Sequence, residues 1–230
     1  MLETIPVDDP RQVLVRQAAR GLARFGLVGP FGHCSLRLDA DSFLVCTGKP
    51  MGLITPTDMG ATVPVVGPLP AGVLGEVRAH QRIYAGRPEV NGICRVFPPK
   101  VNSLSAMGLT PKVRHGFSCY FAPQPPLWED PQLLRNDERA EGVARTLGAA
   151  NAIVLRGNGA IVVADGLQKA VTLTFFLEDS ARVELDLLSA RFDGPVMLET
   201  EAAQLRATWE GRVWERMWDY VTADDPEAVA

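Results

Sequence analysis

Two short apolar runs, residues 152–155 and 160–163, flank the turn Arg156-Gly157-Asn158-Gly159 and lead directly into a long amphipathic segment, residues 167–188. Ala170, Leu173, Leu177, Ala181 and Leu185 fall on one stripe of that segment at helical spacing. An order of strand, turn, strand and one-faced helix points to a layered α/β domain, and the rest of the chain repeats the alternation. Residues 10–25 predict a helix through Val13, Val15, Ala18, Leu22 and Phe25, with Asp8 or Asp9 as its cap. Residues 35–38 and 42–47 predict paired strands split by Asp39-Ala40-Asp41. Residues 75–85 predict a helix stopped by Gly86-Arg87-Pro88, and residues 92–97 a buried strand closed by Pro98-Pro99. Further helices are expected at 102–107 and 139–147, and a last one at 200–221 carrying Trp209, Trp214, Trp218 and Tyr220. The expectation is one domain over residues 1–222 and a frayed acidic tail over 223–230. The pattern leaves open whether the sheet is parallel or antiparallel.

Composition narrows the function classes. The net charge is −4 and the basic residues are scattered, which offers no groove for a phosphate backbone and excludes nucleic acid as the expected partner. No stretch has the length of a membrane span, and Met1-Leu2-Glu3-Thr4-Ile5-Pro6 lacks the basic and apolar regions of an export signal. Cys34, Cys46, Cys94 and Cys119 show no C-x-x-C spacing. A cytoplasmic protein with reduced thiols, acting on a small molecule and away from membranes, is the expectation.

The chemistry-bearing motifs come in a fixed order. Gly32-His33-Cys34-Ser35-Leu36-Arg37 is followed by Thr47-Gly48 and Ile54-Thr55-Pro56-Thr57-Asp58-Met59. Next come Glu76-x-x-x-His80 with Ile83-Tyr84, then Arg87-Pro88-Glu89-Val90. Cys94-Arg95-Val96-Phe97-Pro98-Pro99 and Leu155-Arg156-Gly157-Asn158-Gly159-Ala160 complete the set, the latter leading to Leu177-Glu178. This layout, over about residues 12–190, resembles the class II aldolase/adducin family and in particular its decarboxylase-like branch. The resemblance implies a three-layer αβα domain with a mostly antiparallel central sheet. It also implies a homotetramer with the active site at a subunit boundary. Family enzymes carry a Glu, a His-x-His-Pro and a His-Gly that hold a divalent metal.

By that resemblance Glu76 stands at the metal-site Glu, while Arg95, Phe97 and Asn158 occupy the three histidine positions. A guanidinium has no free lone pair, a phenyl ring cannot ligate, and an amide offers only a neutral oxygen. No metal and no other cofactor is therefore expected. Arg95 either supplies the positive charge the metal would have supplied, gripping a substrate oxygen, or neutralises Glu76 in a buried pair. Glu76 is the candidate for proton transfer, and Glu76, Arg95 and Asn158 form the candidate catalytic set. His80, four residues past Glu76, is expected to bond to the backbone or a neighbour. Gly32, His33, Thr47 and Gly48 resemble the family's substrate-anion loops, and Phe97, His115 and Tyr120 are further candidate contacts. Leu74-Gly75 stands where sugar-phosphate aldolases have a serine pair, which argues against a phosphorylated substrate.

Three functions remain open at this stage. One is a metal-independent lyase cleaving a C–C bond of a small carboxylated substrate by decarboxylation or retro-aldol chemistry. Another is a non-catalytic binding or assembly module on the same fold. The third is an isomerase, cyclase or dehydratase using the same residues.

Overall fold

The computed structural model describes residues 4–228 and shows a single mixed sheet flanked by helices on both faces. The strands are β1 (His33–Arg37), β2 (Ser42–Val45), β3 (Ala61–Pro64), β4 (Gly92–Val96), β5 (Leu127–Trp128), β6 (Ala152–Leu155) and β7 (Ala160–Ala164). They lie in the order β3-β2-β1-β4-β7-β6-β5, and every pairing is antiparallel except β5 with β6. The helices are α1 (Pro10–Arg24), α2 (Arg78–Gly86), α3 (Pro99–Ala106), α4 (Asp137–Leu147), α5 (Leu167–Ser189), α6 (Thr200–Arg206) and α7 (Val213–Thr222).

Strand alternation divides the core into two layers. Cys34, Leu44, Cys94, Val96, Ala160 and Val162 meet α1, α3, α5 and α7 on one face. Phe43, Val45, Ile93, Ile153, Ile161 and Val163 meet α2 and α4 on the other. A two-residue period on the strands requires both layers, because each strand carries apolar side chains on both sides. Helix starts follow local chemistry: the Asp9 carboxylate accepts from Arg11 N–H at 2.8 Å with Pro10 in the first turn, and Asn136 accepts from Arg139 N–H at 2.9 Å.

Three expectations change. The helix at 75–85 begins with a 3₁₀ turn, Gly75–Val77, before α2. The predicted helix over 200–221 is broken into α6 and α7. Ala203 of α6 packs with Val113 and Cys119, whereas α7 returns to α1 and α5, and one straight helix cannot serve both. The break uses Gly211 and Arg212, at φ 77° and 59°, while Trp209 turns onto the Tyr120 ring at 4.9 Å. The acidic tail is not frayed over residues 223–228: Arg16 pairs with Glu227 at 2.5 Å, and Arg20 with Asp225 at 2.6 Å. Residues 229–230 lie outside the described residues. Strands β3 and β5 had no expectation in the pattern, being short and set in Pro-rich segments. Among the described residues no helix is long and apolar enough to cross a membrane.

Candidate active site

The site begins at the β1–β4 pairing. His33 lies directly opposite Arg95 and Ser35 opposite Ile93, so all four project toward the α2 layer. The 3₁₀ turn ahead of α2 supplies Glu76, and one helical turn later comes His80. Ser35 Oγ shares hydrogen bonds with His80 Nδ1 at 2.7 Å and with Tyr84 OH at 2.9 Å. His80 thus has a neighbour for one nitrogen, as expected, but its Nε2 has none. Its ring stacks at a tilt on His33, centroids 4.6 Å apart, and both His33 nitrogens lack partners.

Arg95 is 1% exposed. Its Nε donates to Glu76 Oε2 at 3.2 Å and its Nη1 to the Val96 carbonyl at 3.0 Å, while Nη2 is buried without a partner. The guanidinium lies over the Phe97 ring at 4.2 Å. Burial lowers the Arg95 pKa, and the Glu76 charge works against that shift.

Two glycines shape the surrounding backbone. Gly32 has φ 132°, and a Cβ there would lie 2.8 Å from the Arg95 carbonyl oxygen. Gly159 has φ 73°, and a Cβ there would lie 2.1 Å from the Val96 carbonyl oxygen. The turn before β7 is clamped by α3: Gly159 N–H donates to Asn102 Oδ1 at 2.7 Å and Gly157 N–H to Ser105 Oγ at 3.1 Å. This clamp holds Asn158 at the cleft.

The cleft itself has a volume of about 690 Å³. Its more buried lining is His33, Glu76, Phe97 and Asn158, and its exposed lining includes Phe31, Leu74 and Leu133. Gly32 and Gly48 also line it, whereas Thr47 lines an adjoining cavity of about 200 Å³ that shares His33 and Gly48. Two cations, Lys49 and Arg135, complete the lining and were not among the sequence candidates. Lys49 follows the Thr47-Gly48 loop, a usable signal, but Arg135 sits in an irregular stretch that carries none.

Three candidates are placed differently from expectation. Arg95 stands behind the cleft lining rather than in it, stacked on the Phe97 ring. His115 and Tyr120 are not in the cleft of this chain. Residues 117–121 instead pack on α5 in the opposite layer, where Phe117 stacks on Phe176 at 4.2 Å and Tyr120 sits at 5.1 Å from the same ring. Tyr120 OH donates to the Thr208 carbonyl and lines a separate cavity of about 360 Å³. His115 Nδ1 accepts from Phe117 N–H, and its Nε2 lies 3.4 Å from Asp179.

The donor set does not fit a divalent metal. Glu76 faces a guanidinium instead of histidine nitrogens, and a cation so close repels a dication. Among the described residues no group of three or more His, Cys, Asp or Glu side chains is arranged to hold an ion.

The histidine pair makes stability depend on pH. Burial, then the Arg95 charge, pushes His80 down to about 3, and burial followed by the charges of His80 and Arg95 holds His33 well below its ordinary value. Both are neutral when folded but protonate near 6.5 when unfolded, so the unfolded chain binds more protons below about 6.5, for His80 down to about 3. Their contribution is fully present above the unfolded pKa and is lost as pH falls. His80 alone should cost about 2 kcal/mol by pH 5. Urea unfolding between pH 7 and 4 should show a slope about one proton smaller in His80→Gln than in the unaltered chain. Identical slopes would mean that His80 is not buried neutral.

Comparison with known proteins places this geometry in context. The sequence model of the class II aldolase and adducin N-terminal domain matches residues 13–185. A 3,4-dihydroxyphthalate decarboxylase from Arthrobacter keyseri is 29% identical, over 75% of this chain and 77% of that protein. A protein of the same name from Rhodococcus jostii (strain RHA1) is 24% identical, over 78% of this chain and 81% of that protein. The crystal structure of L-fuculose-1-phosphate aldolase from Thermus thermophilus matches with a TM-score of 0.69 at 27% identity, over 80% of this chain and 97% of that one.

Proposed function

The chain belongs to the class II aldolase and adducin N-terminal domain family, and from that premise we propose that it is a metal-independent lyase that decarboxylates a small, non-phosphorylated, carboxylated substrate. The observation that carries this reading is the Glu76–Arg95 pair at the base of the cleft, with one carboxylate oxygen held by Arg95. The names of the curated relatives favour decarboxylation over retro-aldol cleavage.

Loss of CO₂ leaves an electron pair on carbon, so a proton must be delivered there as the C–C bond breaks. In a hydroxylated aromatic acid, Glu76 takes the hydroxyl proton and passes it to the ring carbon that bears the departing carboxylate. The C–C bond then breaks, CO₂ leaves, and its electron pair restores the ring as a phenolate, which gains a proton from water. Arg95 acts as a positioning residue: it orients Glu76 and keeps the cleft face of the carboxylate free. Asn158 donates its amide N–H to the oxygen where negative charge develops, and His33 contacts the hydroxyl.

The test is CO₂ release from 3,4-dihydroxyphthalate before and after exhaustive chelation. Turnover should persist with less than about a tenth of an equivalent of metal bound, since tight structural or catalytic sites hold near one. Failure to release CO₂, or loss on chelation with recovery on adding zinc or manganese, would overturn the proposal.

A further inference from the structure

Arg135 is the one cation lining the cleft that forms no ion pair among the described residues. The arginines nearest to it in chain order on α2 and α4 are paired: Arg78 with Asp137 at 3.0 Å, Arg82 with the same carboxylate at 3.5 Å, and Arg139 with Asp130 at 2.8 Å. Lys49, the other cation of the lining, pairs with Asp58 at 2.5 Å, and that hydrogen bond, with two from Thr55, holds the carboxyl down at about 2. Arg135, exposed and in no ion pair, therefore leaves its guanidinium available to a ligand of the cleft.

Its placement is held by both neighbours in sequence. Leu134 is buried at 1% exposure in the α2–α4 core, and Asn136 caps α4. The Arg135 N–H donates to the Leu133 carbonyl at 2.9 Å, which turns Leu133 and Arg135 outward around the anchored Leu134. The stem of Arg135 passes Gly75, where an added Cβ would come within 3.6 Å of its Cγ. Phe31, Leu74, Phe97 and Leu133 give the lining an apolar part that suits a flat hydrocarbon body. At the buried end stands His33, whose two unpartnered nitrogens offer one donor and one acceptor, the complement of a hydroxyl group.

We propose that Arg135 determines substrate specificity by gripping, in a bidentate pair, a carboxylate that is not lost in the reaction, so that the substrate is a hydroxylated aromatic dicarboxylate. This rests on the lyase reading in one respect. A fork bound to the departing carboxylate would stabilise the ground state against CO₂ formation, and so oppose the reaction. The carboxylate at Arg135 is thus the spectator, and the departing one lies toward Glu76 and Asn158. The planar, five-donor guanidinium matches a carboxylate at two points, and a lysine ammonium would match it at one.

The test is equilibrium binding of phthalate and of its neutral diamide to the unaltered chain, Arg135→Ala, Arg135→Lys and Arg145→Ala. Arg145 is exposed on α4 and absent from the cleft lining, so that variant controls for net charge alone. Phthalate should bind the unaltered chain, bind Arg135→Ala at least about tenfold more weakly, and fall between these in Arg135→Lys. The diamide should bind weakly and alike to all four, and Arg145→Ala should match the unaltered chain. With a turned-over substrate, Arg135→Ala should raise KM and leave kcat within about threefold, the mark of binding shared by ground and transition states. Equal phthalate affinity in Arg135→Ala, no phthalate binding by the unaltered chain, or an Arg135-dependent preference for inorganic phosphate would each overturn the proposal. Arg135-dependent phthalate binding without CO₂ release from any dihydroxyphthalate would remove the lyase reading while leaving the carboxylate site in place.

Discussion

Glu76→Gln should lower turnover by about 10²–10⁴-fold, the usual contribution of a positioned general acid–base, with little change in substrate affinity. The geometry gives the reason. Gln can still accept the Arg95 Nε–H bond that Glu76 Oε2 accepts now, so the side chain keeps its place beside the cleft. It cannot take up a proton and return it. Steady-state rates of CO₂ release for the two proteins, with circular dichroism to show that the fold is intact, measure the effect. A Glu76→Gln protein with turnover within about threefold of the unaltered chain would remove Glu76 from the chemistry, because losses that small lie below any positioned proton-transfer role.

The second large effect is on stability. Glu76→Leu should destabilise the fold by about 3–5 kcal/mol, because it strands a buried charge. Arg95 would then keep a single hydrogen-bond partner, the Val96 carbonyl, besides its contact with the Phe97 ring, with Nη2 already unpaired. The reverse change, Arg95→Met, should cost less, since the Glu76 side chain is 16% exposed and can find water at the cleft. The double variant Glu76→Leu/Arg95→Met should recover the loss, because a well-packed apolar pair often equals or exceeds a buried ion pair in stability. Urea unfolding of the three variants gives the cycle. Recovery of stability without recovery of activity would show that the pair serves the reaction and not the packing. Glu76→Leu within about 0.5 kcal/mol of the unaltered chain would mean that Arg95 does not depend on Glu76.

Much of the fold is legible because its signals are local. The strand–turn–strand before α5 is written in the apolar runs around Gly157 and Gly159, and the end of α2 in Gly86-Arg87-Pro88. The start of α1 lies at Asp9, one of its two expected caps, while α4 starts two residues ahead of the expected 139, behind an Asn136 cap that the pattern did not single out. The unbroken helix over 200–221 failed because its two halves pack on different neighbours, which the local sequence does not show. His115 and Tyr120 failed for a similar reason. Aromatic clustering in sequence says nothing about which face of the sheet a loop crosses, and Phe176 drew that loop to the far layer.

The sequence by itself determined the layered α/β architecture, the family resemblance, and the non-ligating character of Arg95 and Phe97. Periodicity, turn chemistry and side-chain lone pairs are properties of a residue and its near neighbours. Only the tertiary structure decided that Arg95 lies behind Phe97 and donates to Glu76, that His33 meets His80 without a hydrogen-bond partner, and that Arg135 lines the cleft in no ion pair among the described residues. Burial, cross-strand register and the pairing of charges depend on segments far apart in the chain, and they exist only once the sheet and its two helical layers have closed around them.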